Sequence, residues 1–294
     1  MIAQIPHAAD LNDVMSAVEA MRVQEEAGYQ CVDYLSQVPA ETSTLPVNEE
    51  CRRKMTEWCY QVVDYCKFSR ETVAIAMSLI DRYLCSKNGQ EALVNRKLFQ
   101  LASMTSLYTA VKVHEPEAME PKTIAGLSRG AYTEEQVTKM ELDLLAAVGW
   151  KLNPPTPLAF VQHCLALLPD GCMSMSDKEA ILEVAKFQTE LALDDYSLVK
   201  VNASTIALAA VGNALSSLNV DMAVQQEFLG ALTNLLRIKP QSDELRETQM
   251  KLLKAMHSST FAPRTQLRKV ASTMKMVQAN QGAVQSSPRC VTSS

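Results

Sequence analysis

Thr133-Glu-Glu-Gln-Val-Thr-Lys-Met-Glu-Leu-Asp-Leu-Leu-Ala-Ala-Val-Gly149, followed closely by Asn153-Pro-Pro-Thr-Pro157, is the stretch on which the fold turns. Thr133 with Gln136 three residues later is a capping-box signature that opens a helix. Val137, Met140, Leu144 and Val148 then recur at helical spacing on one face, and Gly149 stands where a helix closes. The three prolines that follow cannot continue a helix and stiffen the chain into an extended connector. A domain boundary is predicted there.

Working back from the connector, the same pattern repeats. Pro121 suits the first turn of a short helix, because the N–H that proline lacks would have no helical partner there. A longer helix is predicted over 96–113, stopping before Pro116. Ahead of it, Val73, Met77, Ile80 and Leu84 form the buried stripe of a helix capped by Ser69, with Gly89 past its end. Met55, Trp58, Val62 and Cys66 share one face of a helix over 49–66. Residues 11–35 read as one helix, joined to the rest by a proline-bearing loop over 38–46.

Beyond the connector the pattern resumes. Helices are predicted over 158–168, from a second capping box at Ser176 and Glu179 to 193, over an alanine-rich 201–218, from 221 to before Pro240, and over 242–257. The expected organisation is an N-terminal helix and loop over 11–47, a five-helix domain over 48–152, a second over 153–260, and a disordered basic tail over 261–294. The tail is rich in Ser, Thr and Gln, and from Ala262 onward it has five basic residues and no acidic ones.

Composition agrees with an all-α chain. Nine glycines in 294 residues are about 3%, less than half the usual ~7%. Aromatics are scarce at 5% while 47% of residues are apolar, and Ala, Leu and Met favour helices over strands. The net charge of −5 weakens any case for nucleic-acid binding through a large basic face. The eight cysteines show no metal-finger spacing and are expected to be reduced core thiols of a soluble intracellular protein. No secretory signal is expected at the N-terminus, and no membrane partner.

No catalytic constellation emerges. The four histidines lie far apart and form no HxxxH or HExxH pattern, and phosphate loops, GxGxxG and GxSxG are absent. Asp194-Asp195 reads as solvated charge at a helix end, since neighbours on a helix point apart. Cys59 and Cys66 read as packing. The expectation is a binding module that needs no metal or cofactor, not an enzyme.

Four short motifs sharpen that expectation. Cys51-Arg-Arg-Lys-Met-Thr-Glu-Trp58 opens the first five-helix unit, Ile80-Asp-Arg-Tyr-Leu84 ends its second helix, Ala110-Val-Lys-Val-His-Glu115 ends its third, and Met140-Glu141 lies in its fifth. Their order and spacing resemble the cyclin box, and with the Pro-Thr-Pro connector the resemblance covers roughly residues 11–257. The short N-terminal region, Leu11-Asn-Asp13 and the weak second box look most like D-type cyclins. The resemblance implies two tandem cyclin folds and a regulatory subunit that binds and activates a cyclin-dependent kinase in G1 phase, in nucleus and cytoplasm. The alternative is a cyclin-fold scaffold or transcription-associated protein.

The resemblance also implies roles for residues. Arg52 and Asp81 match an internal salt bridge between the first two helices. Lys112 and Glu141 match the two charges presented to the kinase, with Val113, Leu145 and Trp150 as apolar contacts around them. Met55, Glu57, Trp58 and Gln100 match a patch that docks R-x-L motifs of substrates and inhibitors. Lys54 and Gln61 depart from that patch, because a cation in an apolar groove repels an arginine-bearing peptide.

Overall fold

The structure, a computed structural model, describes residues 11–37, 46–168, 173–217 and 221–258. Among them are α1 (Leu11–Glu26), α2 (Glu49–Cys66), α3 (Glu71–Cys85), α4 (Gln90–Val94), α5 (Arg96–His114) and α6 (Pro121–Leu127). There follow α7 (Glu134–Ala147), α8 (Pro157–Ala166), α9 (Met175–Ala192), α10 (Ala203–Ser217), α11 (Met222–Leu236) and α12 (Asp243–Ser258). No strand occurs among the described residues, so the chain is all-α. The expected tail, Cys172 and most of the 38–46 loop lie outside the described residues.

Chain order and packing order differ in two places. One compact unit comprises Cys31–Asn153 together with Leu193–Val199, and the other takes α1, the stretch from Pro154 to Ala192 and the stretch from Lys200 onward through α12.

The unit built on 31–153 is organised around α5, which packs against α2, α3 and α7. Every residue from Phe99 to Val111 is buried. Such a helix must hide its own polar side chains. Ser103, Ser106 and Thr109 do so by donating to the carbonyls of Phe99, Ala102 and Thr105, one turn back, at 2.8, 2.8 and 2.9 Å. Asn48 accepts from Cys51 N–H to cap α2, and Asn95 accepts from Lys97 and Leu98 to cap α5. At α7 the capping box closes in both directions: Thr133 Oγ1 accepts from Gln136 N–H, and Gln136 Oε1 accepts from Thr133 N–H.

Three expectations about boundaries need correction here. The helix expected over 11–35 stops at Glu26, and Gly28 takes φ 146°, a conformation that favours glycine. The chain then runs without helix to Tyr34, whose side chain is fully buried. Ser69 is not the cap residue of α3, although its hydroxyl accepts from Glu71 N–H at 3.3 Å. Gly89 closes a 3₁₀ turn before the short α4, and a Cβ there would stand 2.0 Å from the Tyr83 carbonyl oxygen. Close approach, not a helix end, is what fixes that glycine.

In the other unit α10 is central, buried from Ser204 to Leu215 and packed on α8, α9 and α12. Its alanines let these neighbours come close. Asn213 donates to Gln188 Oε1 at 2.8 Å, and Gln188 donates to Ala210 O at 3.3 Å, so both buried amides are satisfied. α9 begins at Met175, capped by Ser174 and not by the expected Ser176: Ser174 Oγ accepts from Asp177 N–H at 3.1 Å.

α1 packs on α8 and α11 and is pinned by one buried carboxylate. Glu25 accepts from Ser204 N–H at 2.9 Å and from Ser204 Oγ–H at 2.7 Å, at the N-terminal end of α10. Burial raises the Glu25 pKa, and the Ser204 hydrogen bonds oppose that rise. The carboxylate thus caps a helix of the same unit from outside. Glu25→Ala is expected to cost about 1–3 kcal/mol, the range for an orphaned buried donor. Native-state hydrogen exchange checks this: α1 amides should lose protection before those of α12.

Candidate functional site

The motif charges sit where α5 ends beside α7. Lys112 lies in the last turn of α5, where the helix dipole favours a cation. Its ammonium donates to both Glu141 oxygens of α7, at 3.1 and 3.2 Å. It also stands 5.6 Å from the centroid of the Tyr108 ring, one turn back. The pair is asymmetric: the Lys112 side chain is 49% exposed and the Glu141 side chain 10%. Glu141 hydrogen-bonding holds the Lys112 pKa above its ordinary value, so the cation persists throughout the physiological range.

Exposed apolar side chains follow both helices' charges in the chain. Val113 is 48% exposed and Trp150 67%. Trp150 follows Gly149, and both are left-handed, at φ 61° and 60°. The turn is closed by Trp150 N–H donating to Leu145 O at 3.0 Å. A left-handed tryptophan is an unusual expenditure of backbone energy for a side chain that packs on so little. His114 Nε2–H donates to Leu152 O at 3.0 Å, which ties the segment carrying Trp150 to the end of α5.

Leu145 departs from expectation. It is buried, so its side chain is not presented as a contact. Leu142 is exposed at 58% beside Glu141 and was missed. The inward stripe of α7 runs through 137, 140, 144 and 148; 145 and 142 lie on the same flank, about 60° apart, with 145 nearer the stripe and therefore buried while 142 is exposed. Exposed Val113 and Leu142 adjoin the two charged residues in the chain, and exposed Trp150 stands on the segment tied to the end of α5; apolar side chains with charged anchors are the composition interfaces favour.

The last motif residue has a structural task. Glu115 accepts from Ser69 N–H at 2.9 Å and from the Thr72 hydroxyl, placing an anion at the start of α3.

Arg52 and Asp81 meet in the interior, 3% and 5% exposed. Arg52 Nε and one terminal nitrogen donate to the two Asp81 oxygens at 2.9 and 2.7 Å. Tyr34 O–H donates to the same carboxylate at 2.7 Å, and Arg52 also donates to Leu193 O. Burial acts to lower the Arg52 pKa, and Asp81 outweighs it, holding the guanidinium above its ordinary value. Tyr34 was unforeseen, because residue 34 was read as helix.

The group Met55, Glu57, Trp58 and Gln100 does not present an open groove. Met55, Trp58 and Gln100 are 2%, 6% and 6% exposed. Gln100 accepts from Tyr132 O–H at 3.0 Å, and Glu57 pairs with Arg53. These side chains are occupied in packing α2 and α5.

Asp194-Asp195 also differs from expectation. Asp195 accepts from Ser197 N–H at 2.9 Å and caps the turn Tyr196–Leu198. Asp194 is partly buried, with Oδ1 shielded and lacking a hydrogen-bond partner. Burial, then the Glu57 charge, raises its pKa to about 6 against the pull of Arg53, Arg52 and Arg70. A raised carboxylate contributes stability below the unfolded value near 4, and loses it as pH climbs through about 6. Asp194→Asn should therefore match the parent in urea unfolding at pH 4. At pH 7.5 it should be more stable, by up to about 3 kcal/mol.

Among the described residues no group of His, Cys, Asp and Glu could hold a metal, and no helix is long and apolar enough to cross a membrane.

Comparison with known proteins places these elements in a family. Residues 16–153 match the cyclin N-terminal domain and residues 155–289 the cyclin C-terminal domain. The chain is 33% identical to G2/mitotic-specific cyclin-2 of Antirrhinum majus over 220 residues, covering 72% of this chain and 46% of that protein. It is 30% identical to G2/mitotic-specific cyclin-B2 of Rana japonica over 176 residues, covering 60% and 42%. The chain thus spans about half the length of the curated relatives it matches. A solved viral cyclin from Herpesvirus saimiri shares the fold at TM-score 0.54 and 15% identity, covering 82% of this chain and all of that one.

Proposed function

Because the chain belongs to the cyclin family, we propose that it is a non-catalytic regulatory subunit that binds and activates a cyclin-dependent kinase. One observation carries the reading: the Lys112 ammonium, held by the mostly buried Glu141, stands half-exposed where Val113, Leu142 and Trp150 are exposed as well. A half-exposed cation contributes little to folding, and exposed apolar side chains contribute less. Their concentration at one place has a purpose in recognition.

The mechanism is conformational. A kinase holds ATP productively only when the glutamate of its C-helix pairs with the β3 lysine. A partner packed against that helix shifts the equilibrium through its higher affinity for the inward arrangement. Lys112 and Glu141 would fix orientation, and the apolar side chains would supply buried area. The test is phosphotransfer by a purified cyclin-dependent kinase titrated with the full chain. Saturable activation is expected. Binding without activation would favour the alternative, a cyclin-fold scaffold or transcription-associated protein.

The finer readings belong to the same proposal. D-type character in G1 rests on Leu11-Asn-Asp13 and the weak second box, whereas the relatives above carry G2/mitotic names. Protein levels across synchronised cells decide between them, and imaging of the tagged chain reads the proposed residence in nucleus and cytoplasm. R-x-L docking at Met55, Glu57, Trp58 and Gln100 requires Met55 and Trp58 to open. A labelled R-x-L peptide whose binding is unchanged by Trp58→Ala would remove that patch.

A further inference from the structure

We propose that Cys31 and Cys85 form a reversible redox pair. On exposure to a peroxide they close a disulfide that ties the first residue of the 31–153 unit to the end of α3. The placement follows from the interior network. Asp81 and Cys85 lie one turn apart on the same face of α3. Tyr34 is anchored to Asp81, so the strand-like segment before it runs over that face. Cys85 Sγ lies 3.9 Å from the carbonyl oxygen of Val32, the residue next to Cys31. Each thiol perturbs the titration of the other, as groups in close approach do.

The pair differs from the other described cysteines in having a second thiol beside it. Cys31, Cys66 and Cys85 are partly exposed, whereas Cys51, Cys59 and Cys164 are buried, and of the exposed three only Cys31 and Cys85 act on one another. Burial pushes the Cys59 and Cys164 thiols up to about 12 and raises Cys66 as well. The neighbouring Cys31 thiol lowers the Cys85 pKa, and Cys85, then burial, raises that of Cys31. Cys85 is therefore the nucleophile and Cys31 the resolving thiol.

The step balances. Cys85 thiolate attacks one peroxide oxygen and the O–O bond breaks, giving a sulfenic acid directly, while the departing hydroxide takes up the proton that Cys85 released and leaves as water. The Cys31 sulfur then attacks the Cys85 sulfur, the S–O bond breaks, and the departing hydroxide carries the Cys31 proton away as water. Two thiols lose two electrons, and one hydrogen peroxide becomes two waters. A thiol reductant reverses the bond by exchange. Nothing in this depends on kinase binding.

The test treats the full chain with hydrogen peroxide, alkylates remaining thiols and identifies peptides by mass spectrometry. Labelling of Cys31 and Cys85 should be lost together, with a Cys31–Cys85 cross-linked peptide, and return after dithiothreitol. Cys31→Ser should leave Cys85 to oxidise beyond the sulfenic stage, and Cys85→Ser should leave Cys31 labelled. Circular dichroism confirms that each variant is folded. Continued labelling of both thiols in the folded parent, or a disulfide to any other cysteine, would overturn the proposal.

Discussion

Replacing Arg52 with alanine is expected to destabilise the protein by about 3–5 kcal/mol, the cost of leaving the partner of a buried ion pair uncompensated. Domains are stable by only about 5–15 kcal/mol, so the variant should approach unfolding at 37 °C. Asp81 would keep only the Tyr34 hydroxyl in a site with almost no water contact. The Leu193 carbonyl would lose its donor as well. Asp81→Ala should behave comparably, stranding a guanidinium. The double replacement Arg52→Met/Asp81→Leu removes both charges and fills the volume, so it should be less destabilising than either single change. Urea unfolding of the three variants measures this directly. A loss below ~1 kcal/mol in both single variants would mean that the pair is dispensable to packing.

The surface pair should behave in the opposite way. Lys112→Ala should cost less stability than Arg52→Ala, because the ammonium is half-exposed, although the Glu141 carboxylate it leaves behind is mostly buried. Binding to a cyclin-dependent kinase should fall by roughly 30-fold or more, as truncation of a desolvated interface charge costs about 2–5 kcal/mol. The exchange Lys112→Glu/Glu141→Lys keeps the intramolecular attraction while reversing the charges shown to a partner. It should fold normally and bind no better than the single variants. Trp150→Ala completes the set: little packing is lost in the free protein, yet an aromatic anchor at an interface contributes ~2 kcal/mol or more. Stability and binding would thus separate cleanly. Equal kinase affinity for parent and exchange variant would place the docking face elsewhere.

How far the sequence could be read depended on whether a boundary carried two independent signals. α7 was delimited by a capping box and a glycine, and α6 by a proline in its first turn, so their ends were recoverable from residue chemistry alone. α1 carried a helical pattern with no stop except Gly28, and reading past it hid Tyr34 in a helix that is absent. The 193–199 segment was invisible for a different reason. Its place beside α2 depends on long-range contacts such as Arg52 to the Leu193 carbonyl, which leave no periodic trace.

The site was half readable. The resemblance to the cyclin box brought Lys112 and Glu141 forward; without it each is a helical charge of the kind that is ordinarily solvated surface. The apolar members were harder. Leu145 and Leu142 are the same residue type three positions apart, and only the rotation of α7 decides which faces solvent. Trp150 depends on two successive left-handed residues, of which the sequence announced only Gly149.

The central claim is that a kinase docks where α5 meets α7. Hydrogen–deuterium exchange of the full chain, with and without a saturating cyclin-dependent kinase, tests it most directly. New protection confined to residues 110–115, 138–145 and 149–152 is the result expected. Protection that falls instead on α11 and α12, with those three segments unchanged, would contradict it.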